Sequence, residues 1–200
     1  MHKVIPLAVI SAIPGLLLFA TTSMAQQGGW TGNINVFLGA KALDEDDWAP
    51  VDEHSEIGIE LDFRPKSWPV NIAVDYLFSK SDKESFIDPS SLIVFDMEAE
   101  TSELNIGIRK IWEQYTSVRP FIGGGLSFIR GEAEVSALGI TVSESGNGAG
   151  IWIGGGVYWT LIDHLNLGLE LKFSTADISI AGVDVDAGGG HFGFLAGYHW

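Results

Sequence analysis

The sequence predicts an all-β fold, an eight-stranded antiparallel up-and-down transmembrane β-barrel over residues 26–200. Three observations predict it. Apolar and polar residues alternate with period two through eight separate segments, the pattern of strands with one apolar and one polar face. The connections between those segments are short and long in turn, as in barrels that cross a membrane. Aromatic residues gather at the strand ends, where the two lipid interfaces would lie.

The totals agree. Two hundred residues make one sizeable domain. Cysteine is absent, which excludes disulfides, thiolate metal sites and thiol nucleophiles. A formal net charge of -15 argues against nucleic acid, since a phosphate binder needs a basic face. Apolar residues make up 46%, too many for a disordered acidic chain. At the N-terminus, His2 and Lys3 precede the apolar run VIPLAVISAIPGLLLFA, and Ser23 and Ala25 are the small residues a signal peptidase reads. Residues 1–25 therefore read as a secretory signal peptide cut after Ala25. Pro14 interrupts the run and disfavours a membrane anchor. Beyond residue 25 no apolar run approaches the ~20 residues of a spanning helix.

The strands follow in order. In the first, Trp30, Ile34, Val36, Leu38, Ala40 and Ala42 share one face, and Thr31, Asn33, Asn35 and Lys41 the other. The second sets Ile57, Ile59, Leu61 and Phe63 against Glu56, Glu60 and Asp62. The third sets Val70, Ile72, Val74, Tyr76 and Phe78 against Asn71 and Asp75. The fourth sets Leu104, Ile106, Ile108 and Trp112 against Glu103, Asn105 and Arg109. The fifth, VRPFIGGGLSFI, carries Ile122, Leu126 and Phe128 opposite Arg119 and Ser127. The sixth, GIWIGGGVYWTL, carries Ile151, Ile153, Val157, Trp159 and Leu161 on one face. The seventh alternates Leu165, Leu167, Leu169, Leu171 and Phe173 with Asn166, Gly168, Glu170 and Lys172. HFGFLAGYHW is the eighth.

A soluble sandwich or a lipocalin-like barrel would also alternate, with its apolar face inside. The connections decide against both. RPKSWP, EQYTS and IDH are short, whereas DEDDWAPVDEH, the stretches near 80–98 and 131–148, and TADISIAGVDVDAGG at 175–189 are long. Threaded up and down from the short-turn side, Trp30, Phe63, Trp68, Trp112, Tyr115, Trp159, Tyr198 and Trp200 fall at the short-turn end. Phe78, Phe128, Phe173 and Phe192 fall at the long-loop end. Two aromatic girdles then bracket an aliphatic band.

The inward faces carry the chemistry. An eight-stranded barrel is just wide enough to be filled by its own side chains, so buried charges there must pair. The expected lumen network comprises Glu56, Glu60, Asp62, Asp75, Glu103 and Glu170 with Lys41, Arg109, Arg119 and Lys172. Acids outnumber bases, so each arginine is expected to touch more than one carboxylate. If Thr160 pairs with Asn166, Gly156 faces Glu170 and Gly154 faces Lys172, small residues beside long ones. The network reads either as a plug or as a gate, and the narrow lumen favours the plug. The GGG runs at 123–125 and 154–156 lack the Gly-Lys-Ser/Thr of a phosphate loop. Residues 44–54 are acidic, but their spacing fits no calcium loop, so they read as a solvated loop. EVSALGITVS and DISIAGVDVD keep alternating and read as hairpins continuing the barrel above the membrane, with Ala181-Gly182 at one tip. His54, His164, His191 and His199 form no nucleophile–base–acid set legible in the sequence. The expectation is a non-enzyme without cofactor or metal.

RPFIGGGLSF, GGGVYWTLIDHLNLGLELKF and the closing FLAGYHW resemble small outer-membrane β-barrels of the OmpA, OmpX and OmpW kind, over essentially the whole chain after residue 25. The resemblance implies a Gram-negative outer membrane, long loops extracellular, and lipid and lipopolysaccharide as surroundings of a monomer. It also implies that the assembly machinery reads the C-terminal aromatic pattern of Phe194, Tyr198 and Trp200. Two functions remain open: a structural or surface-interaction barrel with a plugged lumen, or an OmpW-like channel for hydrophobic or small polar solutes.

Overall fold

The computed structural model describes residues 29–87, 92–113, 117–161 and 164–200. The signal-peptide reading and the placement of Tyr115 fall outside these. Period-two alternation does become strand: β1 (Trp30–Ala42), β2 (Glu53–Pro65), β3 (Asn71–Ser81), β4 (Glu84–Ile87), β5 (Val94–Ile111), β6 (Val118–Ala137), β7 (Ile140–Leu161), β8 (Leu165–Thr175), β9 (Asp177–Ile180), β10 (Val183–Asp186) and β11 (Gly189–His199). A single helical turn, α1 (Glu45–Trp48), lies between β1 and β2.

Eight of these strands close a ring in the order β3-β2-β1-β11-β8-β7-β6-β5, and β3 pairs with β5 to complete it. Every pairing is antiparallel. Closure leaves the spanning strands no free edge, which lipid would not tolerate. The chain end belongs to the ladder. Trp200 and Gly32 exchange both backbone hydrogen bonds, at 3.1 and 3.2 Å, and the Thr31 hydroxyl donates to the Trp200 carbonyl. The final aromatic residue thus sits in the closing seam.

The spanning part shows large apolar side chains on its outside. Leu38, Ile59, Ile106, Ile108, Ile122, Leu126, Ile153, Leu171 and Phe194 are all exposed. In water such a surface would drive aggregation; in lipid it is the matching solvent. Trp30, Trp68, Trp112 and Trp159 mark its short-turn end, and Phe78, Phe128, Phe173 and Phe192 its long-loop end.

The stretch near 80–98, expected as a loop, is strand over 84–87 and from 94 onward, and the hairpins expected at EVSALGITVS and DISIAGVDVD both form. β5, β6 and β7 run 18, 20 and 22 residues, about twice what a tilted strand needs to cross. Their upper halves rise above the ring as a sheet. β4 extends β3 along β5, but Lys80 faces Glu100 whereas Glu84 faces Met97, so one extra residue bulges between them. Two tight turns cap the hairpins. Leu138 and Gly139 have φ of 52° and 80°, and Ala181 and Gly182 have 52° and 83°. Positive φ at both central residues is the turn whose twist matches two antiparallel strands.

Candidate functional site

The lumen is the site, and its members arrive by parity. Every charged residue expected inside is buried. Viewed from the short-turn end upward, they form tiers.

In the lowest tier the Arg119 guanidinium on β6 donates to Asn33 Oδ1 on β1 at 3.1 Å and to Asn166 Oδ1 on β8 at 2.6 Å. Asn166 in turn donates to Asn33, and His199 lies 3.2 Å from Arg119. The expectation of several carboxylates around each arginine fails here. Among the described residues Arg119 makes no ion pair; two amide oxygens take the place of acids. Asn33 hands the contact on to Asp62 at 2.7 Å, so the acid is used one step away.

The middle tier is built on Arg109 of β5. Its Nη atoms lie 3.2 Å from Glu60, 3.4 Å from Asp62, 3.0 Å from Asp75 and 3.5 Å from Glu170. Lys172 on β8 reaches Glu60 and Asp75 at 2.9 Å each and Glu170 at 3.5 Å. Tyr158 Oη accepts from Arg109 at 3.0 Å and donates to Asp62 at 3.3 Å. Asn71 also donates to Asp62. Two cations therefore tie β2, β3, β5 and β8 across the barrel, and both have fully buried side chains. Such charges persist without water only because each faces opposite charge.

Apolar side chains share this tier, which the charge pattern did not foretell. Phe37, Leu77, Ile111, Phe121, Tyr158 and Leu195 form one buried cluster. Arg109 stands 5.0 Å over the Phe121 ring and Lys172 5.4 Å over the Trp152 ring, within cation–π reach. The register places Gly154 opposite Lys172 and Gly156 opposite Glu170. A Cβ at Gly156 would collide with the Phe121 ring and one at Gly123 with Trp152. The glycine runs thus make room for aromatic rings as much as for charges.

In the upper tier Lys41 on β1 contacts Glu103 on β5 at 3.1 Å, Thr101 at 3.1 Å and the Ala187 carbonyl at 2.9 Å. Glu103 also accepts from Asn105 and Ser174. His191 on β11 places Nδ1 3.0 Å from Glu56 and Nε2 3.0 Å from Ser174 Oγ. Ser174, His191 and Glu56 therefore fall in the order of a nucleophile, base and acid, a line the sequence did not reveal. Ser174 Oγ, however, also donates to Glu103 at 3.1 Å. All three side chains are buried, between strands whose backbone groups serve the ladders. Ser174 Oγ is thus shared between His191 and Glu103.

An apolar cap lies over this tier. Leu43, Trp48 and Val51 from the first loop meet Ile178 and Ala187 from the last loop, with Ala99 and Ile129 on the barrel wall. Trp48 Nε1 donates to the Asp186 carbonyl at 2.7 Å, and Asp186 N donates to Asp47 Oδ2 at 2.9 Å. The acidic first loop is thus an ordered lid around Trp48, not a wholly solvated segment. Its carboxylates form no metal cluster among the described residues. The β9–β10 hairpin lies against β7 where Gly146 and Gly148 leave room; a Cβ at either would strike the β9 backbone.

The parity rule that finds the charges also places Phe37, Leu77, Phe121, Trp152, Tyr158, His191 and Leu195 inward. Charge alone does not mark these uncharged members; their position in the alternation does.

No family model matches the chain, and no curated protein matches it. Solved structures do. The attachment invasion locus protein Ail of Yersinia pestis, in complex with the heparin analogue sucrose octasulfate, matches at a TM-score of 0.55 and 15% identity, over 87% of this chain and 100% of that one. A major outer membrane protein from Thermus thermophilus matches at 0.56 and 11%, over 86% and 99%. At such identities the likeness is one of fold. Together with the lipid-facing band and the aromatic girdles, it shows an eight-stranded membrane β-barrel with the same fold as small outer-membrane proteins.

Proposed function

We propose that this protein is a closed outer-membrane barrel with a structural or surface-interaction role, its lumen plugged by its own side chains and its long loops extracellular. One observation carries the reading. Arg109 and Lys172 are fully buried among four carboxylates, with an apolar cap above and an amide–arginine tier below. Solute would have to displace ion pairs in the narrowest kind of barrel. The Ser174–His191–Glu56 line belongs to the same filling, and no catalysis is assigned to it. Residues 1–25 act as the secretory signal, and Phe194, Tyr198 and Trp200 as the pattern read by the assembly machinery. The mature barrel is a monomer surrounded by outer-membrane lipid and lipopolysaccharide.

A planar bilayer containing the refolded protein tests the closed lumen. The expected record is a quiet baseline with rare brief openings. Frequent, ion-selective openings of the wild type would overturn it.

A specific observation favours the alternative channel. Above the charged tiers the inward positions turn apolar, Met97 and Ala133 packing with Ile129 against the cap and Val135 following in the same parity. A hydrophobic solute would find a wall there. The channel reading requires liposome uptake of such a solute that falls when Met97 or Val135 becomes Asp. Uptake equal to protein-free liposomes rejects it.

A further inference from the structure

The sheet that β5, β6 and β7 raise above the ring has two unlike faces. Even residues of β5 and β6 form its outer face, where Glu98 pairs across to Glu134 and Glu100 to Glu132. Odd residues continue the series that lines the lumen below, and here they are apolar. One ladder row holds Met97, Val135 and Val142; the row above holds Phe95, Ala137 and Ile140. β4 adds Phe86 to the upper row, its ring stacked on Phe95 at 5.3 Å. The cap over the lumen packs against Met97 and Ala133. Above that contact Phe86, Val142 and Ile140 are 42%, 57% and 69% exposed. This end stands in water, where a contiguous apolar sheet face marks a surface that another molecule covers.

Charge selects what covers it. Glu84 on β4 ends the lower row opposite Met97, and Glu144 on β7 lies one row further down, opposite Ala133. Neither makes a side-chain hydrogen bond or ion pair among the described residues. The bases nearby are engaged on the outer face: Lys80 with Glu98 and Glu100 at 2.7 Å each, Lys83 with Asp96 at 4.0 Å, and Arg130 with Glu132 at 3.8 Å. The apolar rows are therefore flanked by two free carboxylates. Three strand spacings separate β4 from β7, roughly 14 Å, the length of about ten residues of α-helix. A helix laid across the strands would set its apolar stripe on the two rows and a basic residue near each end on Glu84 and Glu144. We propose that this face docks a cationic amphipathic helix of a partner polypeptide. The inference rests on the surface-interaction half of the proposed function and names the chemistry of its partner.

The test is fluorescence anisotropy of a labelled amphipathic leucine–lysine helix, titrated with the full chain in phosphatidylcholine nanodiscs and corrected with empty nanodiscs. A peptide of the same composition in scrambled order controls for charge alone. Saturable one-to-one binding is expected, with the scrambled peptide about tenfold weaker. Glu84→Gln with Glu144→Gln should weaken binding about fivefold, the worth of two exposed ion pairs. Glu132→Gln with Glu134→Gln, on the outer face of the same sheet, should leave it unchanged. Val142→Asp and Ile140→Asp, both at exposed positions, should each abolish it. Heat-modifiable mobility on gels confirms that each variant is folded. No binding by the wild type, equal binding of the scrambled peptide, or an equal loss from the outer-face pair would overturn the proposal. A wild-type dimer in native mass spectrometry that Val142→Asp dissolves would overturn it in favour of a second copy. Failure of the closed lumen is read separately, as conductance in a bilayer without peptide.

Discussion

Strand β6 passes through two environments, and its two halves are inverted. Below Phe128 it turns Ile122, Leu126 and Phe128 outward and Arg119, Phe121 and Ser127 inward. Above, it turns Arg130, Glu132 and Glu134 outward, and Ile129, Ala133 and Val135 face in. β5 does the same, from outward Ile108, Ile106 and Leu104 to outward Glu100, Glu98 and Asp96. The ladder does not break at the change, and the period of two does not shift. What changes is the medium outside. In lipid the outer face must be apolar and the lumen takes the polar groups; in water the sheet reverts to the rule of soluble proteins. The phase of the alternation therefore marks the membrane surface to within one pair of residues.

The largest expected effect lies in the lower half. Arg109→Ala would leave Glu60, Asp75 and Glu170 sharing Lys172 and Asp62 with no cation, in a region without exposure. Removing one partner of a buried ionic cluster costs ~3–5 kcal/mol. Urea unfolding in detergent micelles should show a loss of that size. A loss below about 1 kcal/mol would mean that water already solvates this tier and that the plug is loose.

Next comes a pair of substitutions on one face of one strand. Ile122→Arg points a charge into lipid and should cost ~2–4 kcal/mol if Ile122 is near mid-membrane. Glu134→Arg, on the same outward face above the boundary, should stay within about 0.5 kcal/mol. Folding into vesicles of phosphatidylcholine measures both. Equal costs would erase the boundary drawn from the phase change.

The inversion also explains what was legible in the sequence. Strand number and face assignment follow from period two, because pleating forces it, and the partners of Gly154 and Gly156 follow from the Thr160–Asn166 register of the short turn. The hairpin tip at Ala181-Gly182 follows from the same alternation. What escaped were contacts made across the lumen. No local pattern says that Arg119 meets Asn33 and Asn166 rather than acids, or that Ser174 meets His191 and Glu56. Those pairs depend on how eight strands tilt and stagger around the ring. Trp48 escaped for another reason. Its neighbours Asp44 to Asp47 are charged, and only the last loop folding back offers it an apolar partner.

Glu170 offers a smaller effect of opposite sign. The middle tier holds four acids, Glu60, Asp62, Asp75 and Glu170, against two bases, Arg109 and Lys172. Glu170 makes the longest ion contacts with those bases, at 3.5 Å, and its oxygens have no hydrogen bond. Glu170→Gln removes a surplus charge while keeping shape, so the barrel should gain about 1 kcal/mol. The same urea titration reads it. A loss as large as that of Arg109→Ala would make Glu170 a full partner in the cluster.

The smallest effect tests whether the two halves unfold as one. Leu138 sits at the tip of the β6–β7 hairpin with φ of 52° and is 81% exposed. It pays for left-handed backbone with no packing in return. Asn followed by Gly is the preferred pair for such a turn, and Gly139 already supplies the second residue. Leu138→Asn should therefore stabilise the hairpin by about 0.5–1 kcal/mol. Because β5, β6 and β7 run unbroken from lipid into water, that gain should move the global urea midpoint. It should also slow proteolysis at the tip. If proteolysis slows while the midpoint stays fixed, the upper sheet frays on its own, and the continuous ladder does not carry cooperativity across the membrane surface.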